Sequence, residues 1–279
     1  VTASATLSAS MVGTTLAPTT YRWTETDCIL YALGVGARPP AERQLLDEHC
    51  GPAVLPTFAL IANWWAVKDL RTTLQLGQAP IVHSAQSLEL ERPLRPSGEV
   101  GVTAEVSALW DTGKHAAIEV SSVGVDDEGP LFRASSQTMV LGAGGFGGSR
   151  GPAAVDTPQG TPDGVHTDDV RPEQAAIYRL SGDRNPLHID PAVARKFGFD
   201  DVFLHGLCTL GFAARALITL AGGGDPAALT SISCRFAKPV ELDAQLRTEI
   251  WRDGTRVRFR TVQGDVVSLR SGTATLAGC

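Results

Sequence analysis

The chain has 279 residues, 43% of them hydrophobic and 19% charged, a balance that excludes a disordered protein and suits one large globular unit or two modest ones. With 30 acidic and 24 basic residues its formal net charge is −6, and no run of Lys and Arg offers a footprint for nucleic acid. Five cysteines, an odd number without any C-x-x-C spacing, argue against a disulfide framework or a structural zinc site and make a reducing cytoplasm the expected setting.

Residues up to about 10 read as a loose tail of small side chains, with no basic region ahead of an apolar run and so no signal-peptide character. Tyr31-Ala32-Leu33-Gly34-Val35-Gly36 then precedes an apolar helical stretch, predicted from Pro56, a favoured first helical position, to about Leu70. Val100, Val102, Ala104, Val106 and Ala108 alternate with polar partners, the mark of a half-buried antiparallel strand. Trp110-Asp111-Thr112-Gly113 predicts a hairpin turn. Gly and Pro crowd residues 142 to about 167, which predicts a linker crossing the surface. The formal G-x-G-x-x-G match from Gly142 to Gly147 is no dinucleotide loop, because Gly148, Gly151 and Pro152 deny it a following helix and no βαβ unit surrounds it.

The second half repeats the pattern. Tyr178-Arg179-Leu180-Ser181-Gly182-Asp183 echoes the Tyr31 segment, and Pro172 and Glu173 suit the first turn of a short helix ending near Leu180. Asp190 and Pro191 suit the N-cap and first position of another helix, closed by Gly198. A longer helix is predicted from Gly206 to about Leu220; it is apolar on nearly every side, so other structure must surround it. Its apolar run, 207–221, is interrupted by Arg215 and too short to cross a bilayer. Leu242, Ala244, Leu246, Thr248 and Ile250 alternate with polar partners, and Trp251-Arg252-Asp253-Gly254 predicts a second hairpin turn. Two copies of a long buried helix wrapped by an antiparallel sheet predict an α+β, double hot-dog fold, with repeats over about 1–150 and 151–279.

The densest chemistry lies between the two short helices of the second half. Asp183 and His188 are five residues apart on a segment stiffened by Pro186 and can converge on one small molecule, with the Asn185 amide orienting it or the substrate. Taken singly, bland readings win: Asp and Asn are common turn residues, and His188 suits an ordinary half-buried histidine. Together with Gly182, Pro186 and Leu204-His205-Gly206-Leu207-Cys208-Thr209 they form a signature. The six histidines are scattered, without H-E-x-x-H or a Cys/His cluster, so neither a metal nor a separate cofactor is expected.

That signature resembles the hydratase-2 motif of the MaoC-like family, especially the hydratase domain of peroxisomal multifunctional enzymes and its bacterial counterparts. Tyr31 to Ala37, Leu55-Pro56-Thr57-Phe58 and Gly144 to Gly148 share further landmarks, so the resemblance covers nearly the whole chain. It implies a (3R)-specific enoyl-CoA hydratase that turns trans-2-enoyl-CoA and water into (3R)-3-hydroxyacyl-CoA. On matching positions Asp183 and His188 are the catalytic pair and Asn185 their helper, while the Gly206 N–H meets the thioester oxygen. The binding loop carries Arg184, Pro186 and Leu187, and Phe236 and His83 occupy substrate-contacting positions. Ser84 stands where the family pattern has glycine, and Lys114 matches a basic turn position loosely. For His83 and Lys114 the plain alternatives are an ordinary strand residue and an exposed turn lysine. Arg184, Arg195, Lys196 and Lys238 are near enough in sequence to serve the phosphates of an acyl-CoA partner.

Aligned without gaps, Asp183, Asn185 and His188 face Gly36, Arg38 and Ala41, none of which can move a proton. The first repeat is therefore expected to be non-catalytic and to shape an acyl pocket near Trp64 and Trp65. Other readings on the same fold are a dehydratase acting on acyl-carrier protein, a thioesterase, and a non-catalytic acyl-CoA-binding subunit. No membrane or nucleic-acid partner is expected, and a homodimer is an assembly the resemblance allows.

Overall fold

The computed structural model describes residues 7–277 apart from 154, 157 and 159. Of the tail read as loose, residues 1–6 lie outside this description, while Leu7 is buried and Ala9–Met11 form a 3-10 turn.

Each half builds the same unit. The first contains β1 (Thr19–Trp23), α1 (Glu25–Gly34), α2 (Ala59–Val67), α3 (Leu70–Thr73), β2 (Ile81–Leu90), β3 (Gly98–Asp111), β4 (Ala116–Asp126) and β5 (Gly129–Val140). The second contains β6 (Gly164–Val170), α4 (Gln174–Tyr178), α5 (Pro191–Lys196), α6 (Gly206–Ala221), β7 (Leu229–Phe236), β8 (Ala244–Asp253), β9 (Arg256–Gln263) and β10 (Val266–Leu276). All ten strands join one antiparallel sheet in the order β1-β3-β4-β5-β2-β7-β10-β9-β8-β6. Read outward from the central β2–β7 pair, the two halves have identical strand order. The seam runs from Ala85 opposite Arg235 to Glu89 opposite Ser231, so the repeats share one continuous sheet. This is the predicted α+β double hot-dog arrangement.

Each sheet half wraps its own helix: α2 lies against β1, β3, β4 and β5, and α6 against β6, β7, β8 and β10. Helix α6 keeps the predicted start and is buried along almost its whole length. The first-half stretch begins at Pro56 as expected, as a 3-10 turn, but its α-helix stops at Val67. The chain turns at the exposed pair Lys68–Asp69, which brings Leu70 and Leu74 back into the core. Among the described residues no helix is long and apolar enough to cross a membrane.

Strand alternation holds where the ladder is regular. Val100, Val102, Ala104 and Val106 point inward. A bulge between Val106 and Ala108 then shifts the pleat, so Leu109 and not Ala108 takes the next buried position. The linker is also shorter and firmer than expected. Strand β6 begins at Gly164, and the glycine-rich part folds onto Asp111, whose carboxylate accepts from the N–H groups of Gly113 (2.8 Å), Gly145 (2.9 Å) and Gly147 (2.8 Å). Those backbone donors hold the Asp111 carboxyl below its usual range.

The halves meet through close packing and one buried charge cluster. Tyr31 and Tyr178, the repeated landmark, face each other with ring centroids 6.0 Å apart. Arg215, the charge inside the apolar run, is 5% exposed and pairs with Glu42 of the first half (2.6 Å) and Asp168 of the second (3.0 Å). A buried cation needs this, because an unpaired one is strongly destabilising. At Gly211 the surface of α6 comes so near the first half that an added Cβ would lie 2.9 Å from Val35 Cβ.

Gly211 gives a test of that approach. In an ordinary helix Gly→Ala gains about 1 kcal/mol, whereas overpacking a filled core costs roughly 1–3 kcal/mol. Val35 is fully buried and β-branched, so it has little freedom to yield. Gly211→Ala is therefore expected to lower stability in urea denaturation, and adding Val35→Ala to recover part of the loss. A stabilised Gly211→Ala single variant would show that the halves do not approach there.

Candidate active site

Helix α4 leads into the site. Buried Gln174 hangs it from the end of α1, its amide donating to the carbonyls of Leu33 (2.8 Å) and Gly34 (2.6 Å). A 3-10 turn over Arg179–Ser181 follows, then Gly182 at φ +155°. An added Cβ on Gly182 would stand 3.2 Å from the Trp65 indole nitrogen, so α2 of the first half presses directly on the start of the loop.

The loop does the turn work that the bland reading foresaw. Asp183 Oδ1 accepts from the Asn185 N–H (3.1 Å), and Asn185 Oδ1 caps the next turn by accepting from the Leu187 N–H (3.1 Å). The Asn185 carbonyl oxygen is thus occupied, which leaves its NH2 group for any helper role. Arg184, Asn185 and Pro186 are exposed and Leu187 half-buried. The 3-10 turn Pro186–His188 then drives the His188 ring inward, to 8% exposure.

His188 is held on several sides. Its Nδ1 donates to the Phe203 carbonyl (2.9 Å), since a carbonyl only accepts, and this leaves Nε2 as the basic nitrogen. The Phe203 ring meets it edge-on at 4.9 Å, and His205 stacks on it at 3.8 Å with 28° between the planes. Burial pushes the His188 imidazole below its ordinary value, against the opposing pull of the Phe203 carbonyl and the Asp183 charge. One ligand-type atom from each of Asp183, His188 and His205 falls within 4.8 Å of the others. The scattered histidines of the sequence are thus partly gathered. Near-parallel stacking points the ring lone pairs side by side rather than at a shared centre, a poor geometry for holding a metal.

His205 belongs to the sequence signature, and the sequence gives it no role there. Its only sequence signal is its place just before Gly206; its stacking partner is 17 positions earlier (205 − 188) and becomes visible only in the fold.

Gly206 opens α6, and no side chain caps that helix end. Its first-turn N–H groups therefore face outward with the positive end of the helix dipole. An added Cβ would sit 3.1 Å from the Phe236 ring, so Phe236 packs tightly against the helix start. The Phe236 ring in turn meets the His83 ring at 4.7 Å. His83 is on β2 and Phe236 on β7, so the seam pairing brings these two expected residues together across the halves. His83 Nε2 is buried without a hydrogen-bond partner, and burial pushes its imidazole down to about 4.

Two expected residues are not gathered in this way. Ser84 sits at a bulge, and its hydroxyl donates to the Gln137 backbone carbonyl (3.0 Å) and side-chain oxygen (3.1 Å), so its side chain is committed to β5. Lys114 is exposed on the β3–β4 turn, where its carbonyl accepts from Gly144 N–H (3.3 Å). Arg195, Lys196 and Lys238 are exposed. In the first half, the counterpart of Asp183 has no room for a side chain: an added Cβ on Gly36 would lie 2.6 Å from Phe212 Cζ. Arg38, the counterpart of Asn185, grips Asp169 through its carboxylate (3.2 Å) and carbonyl (2.8 Å).

A double hot-dog scaffold with the half-buried Asp183 and the buried His188 beside an open helix start defines a class of protein. Residues 21–142 match the MFE-2 hydratase 2 N-terminal domain, and residues 153–272 the MaoC like domain. The chain belongs to the MaoC-like family. It is 42% identical over 262 residues to 3-hydroxyacyl-thioester dehydratase Y of Mycobacterium tuberculosis, covering 90% of this chain and 89% of that one. It is 36% identical over 269 residues to the peroxisomal enoyl-CoA hydratase 2 of Arabidopsis thaliana, covering 88% and 87%. The crystal structure of a MaoC-like dehydratase from Phytophthora capsici superposes with a TM-score of 0.87 at 29% identity, covering 97% and 98%.

The buried imidazoles predict a pH response. His83, His188 and His205 are all pushed below their ordinary value of 6.5, first by burial. The unfolded chain therefore binds protons that the folded chain refuses. Their contribution is complete above about pH 6.5 and is lost as pH falls towards the folded values, by up to about 1.4 kcal/mol per pH unit for each refused proton. Urea denaturation between about pH 7.5 and about pH 5 should show stability falling with acidity. A flat profile would contradict the burial of these rings.

Proposed function

We propose that the protein adds water across the C2–C3 bond of a trans-2-enoyl-CoA to give the (3R)-3-hydroxyacyl-CoA. The observation that carries this reading is the pairing of the Asp183 carboxylate with a buried His188, Nε2 free, beside the uncapped start of α6. The thioester carbonyl draws electrons from C3, so water attacks there and negative charge collects on the thioester oxygen. The Gly206 N–H, aided by the helix dipole, stabilises that enolate without reorganising. Asp183 and His188 take one proton from the water and return one to C2, so the addition is balanced and both groups regain their starting states. A carboxylate and an imidazole kept neutral by burial complement each other near neutral pH.

No metal or separate cofactor enters these steps, and the stacked histidine geometry supports that reading. Exposed Arg184, Arg195, Lys196 and Lys238 are the cations we assign to the CoA phosphates. Among the described residues four cysteines, Cys28, Cys50, Cys208 and Cys234, are unpaired, which favours a reducing compartment such as the cytoplasm. The reverse reaction on a carrier-bound 3-hydroxyacyl group is the second reading, favoured by the relative named as a thioester dehydratase. Enoyl-CoAs of several lengths, with one enoyl-acyl-carrier protein beside them, separate the two.

The direct test follows loss of enoyl absorbance, coupled to a (3R)-specific dehydrogenase and repeated with EDTA. Asp183→Asn and His188→Ala should each lose ~10²–10⁴-fold in kcat while staying folded. Near-parental turnover in either variant, product seen only with a (3S)-specific dehydrogenase, or activity lost to EDTA would overturn the proposal.

The first half, on this reading, holds no second site and shapes the acyl pocket through Trp64 and Trp65. Crowding at Gly36 and the engagement of Arg38 support the first part, and the Trp65–Gly182 contact the second. A tight substrate analogue should bind once per chain, and medium or long enoyl-CoAs should exceed crotonyl-CoA in kcat/KM. Two equivalent sites per chain, or strict preference for the four-carbon substrate, would contradict this role.

A further inference from the structure

Three consecutive residues before α6 hold the reacting groups in register. The Phe203 carbonyl fixes His188 Nδ1–H at 2.9 Å, and two residues on His205 Nε2 donates to the Asp183 carbonyl at 3.1 Å. The segment is itself pinned to the chain before β8: the Leu204 N–H donates to the Val240 carbonyl (2.8 Å), and Phe203 pairs with Glu241. We propose that His205 is a positioning residue for the hydration, its Nε2–H holding the Asp183 backbone and its ring setting the plane of His188. This rests on the hydratase reading of the same site.

His205 cannot itself take the water proton. Its Nε2 is engaged, and its Nδ1 is buried without exposure or partner. Nor does it behave as mere filling. A buried ring nitrogen with no donor is destabilising, so phenylalanine would be the better space-filler. What the imidazole adds is the N–H to Asp183. The facing titratable groups are His188 on one face, Tyr178 at 5.0 Å, and the charges of Asp183 and Arg179. Burial first, and the neighbouring His188 second, push the His205 imidazole down to about 2, so it stays neutral while the Asp183–His188 pair exchanges protons. Two imidazolium ions stacked 3.8 Å apart would repel, and a permanently neutral neighbour leaves His188 free to carry charge in passing.

Two measurements test this on the full chain. Imidazole ¹⁵N NMR should show neutral His205 with its proton on Nε2 and neutral His188 with its proton on Nδ1 at neutral pH. His205→Phe keeps a ring but loses the donor, and kcat should fall ~10–100-fold with KM within about threefold. His205→Gln places an amide donor near the Nε2 position and should regain most of that loss. Parental kcat in a folded His205→Phe variant would overturn the proposal. So would equal impairment of the two variants, or a His205 proton on Nδ1. Should His205→Phe not fold, His205→Gln decides: retained kcat supports the donor role, and a large loss refutes it. If the parent hydrates no enoyl thioester while both tautomers are as stated, the hydratase reading falls and the hydrogen-bond arrangement stands.

Discussion

A helix apolar on every side has no stable place except inside other structure, and α6 is such a helix. Its 16 residues must be wrapped by β6, β7, β8 and β10 on one side and covered by the first half on the other. Burial fixes the helix axis, and with it the direction in which its first N–H groups point. The only end left for chemistry is the N-terminus at Gly206, where Phe236 is the close neighbour and no side chain intervenes. The position proposed to bind the enolate is thus a consequence of packing.

The same constraint bears on the division of labour proposed for the halves. A single repeat would leave the β2 or β7 edge unpaired and one face of its helix uncovered, a liability for aggregation. Duplication covers both, and the close approach at Gly211 and Val35 lets the repeats fit. Once the first half is committed to covering, its loop counterparts are spent on grip: Gly36 yields its space to Phe212, and Arg38 holds Asp169. Its core also carries a buried polar chain, in which Asn63 of α2 bonds to Ser122 and Ser136, and Ser136 to Gln86. With its members bonded to one another, that chain pins α2 to the sheet.

The proposed catalytic pair draws its properties from neighbours. His188 on a surface turn would sit near its ordinary value, half protonated close to neutrality. Inside the fold, burial keeps it neutral, the Phe203 carbonyl selects the tautomer, and His205 fills its open face. Trp65 lies close to the start of the loop from the other side. Each of these supports comes from a segment distant in sequence from the loop that carries the reacting atoms.

Sequence by itself determined whatever depends on local pattern. The period-two strands, the hairpin turns, the helix starts at Pro56 and Gly206 and the Asp190 cap follow from residue types at short spacing, and the motif from 182 to 188 stood out for the same reason. Tertiary structure alone decided what depends on pairing across distance. The bulge after Val106, the turn at Lys68–Asp69 and the folding of the glycine-rich segment onto Asp111 arise where neighbouring strands or core demands override local preference. The hydrogen bonds from the bulged Ser84 to Gln137 are visible only once β2 and β5 are paired. His205 looked like part of a motif until its ring was seen on His188. Spacing along a chain fixes which side chains share a face, but only the register of the β2–β7 seam and the burial of α6 fix which faces meet.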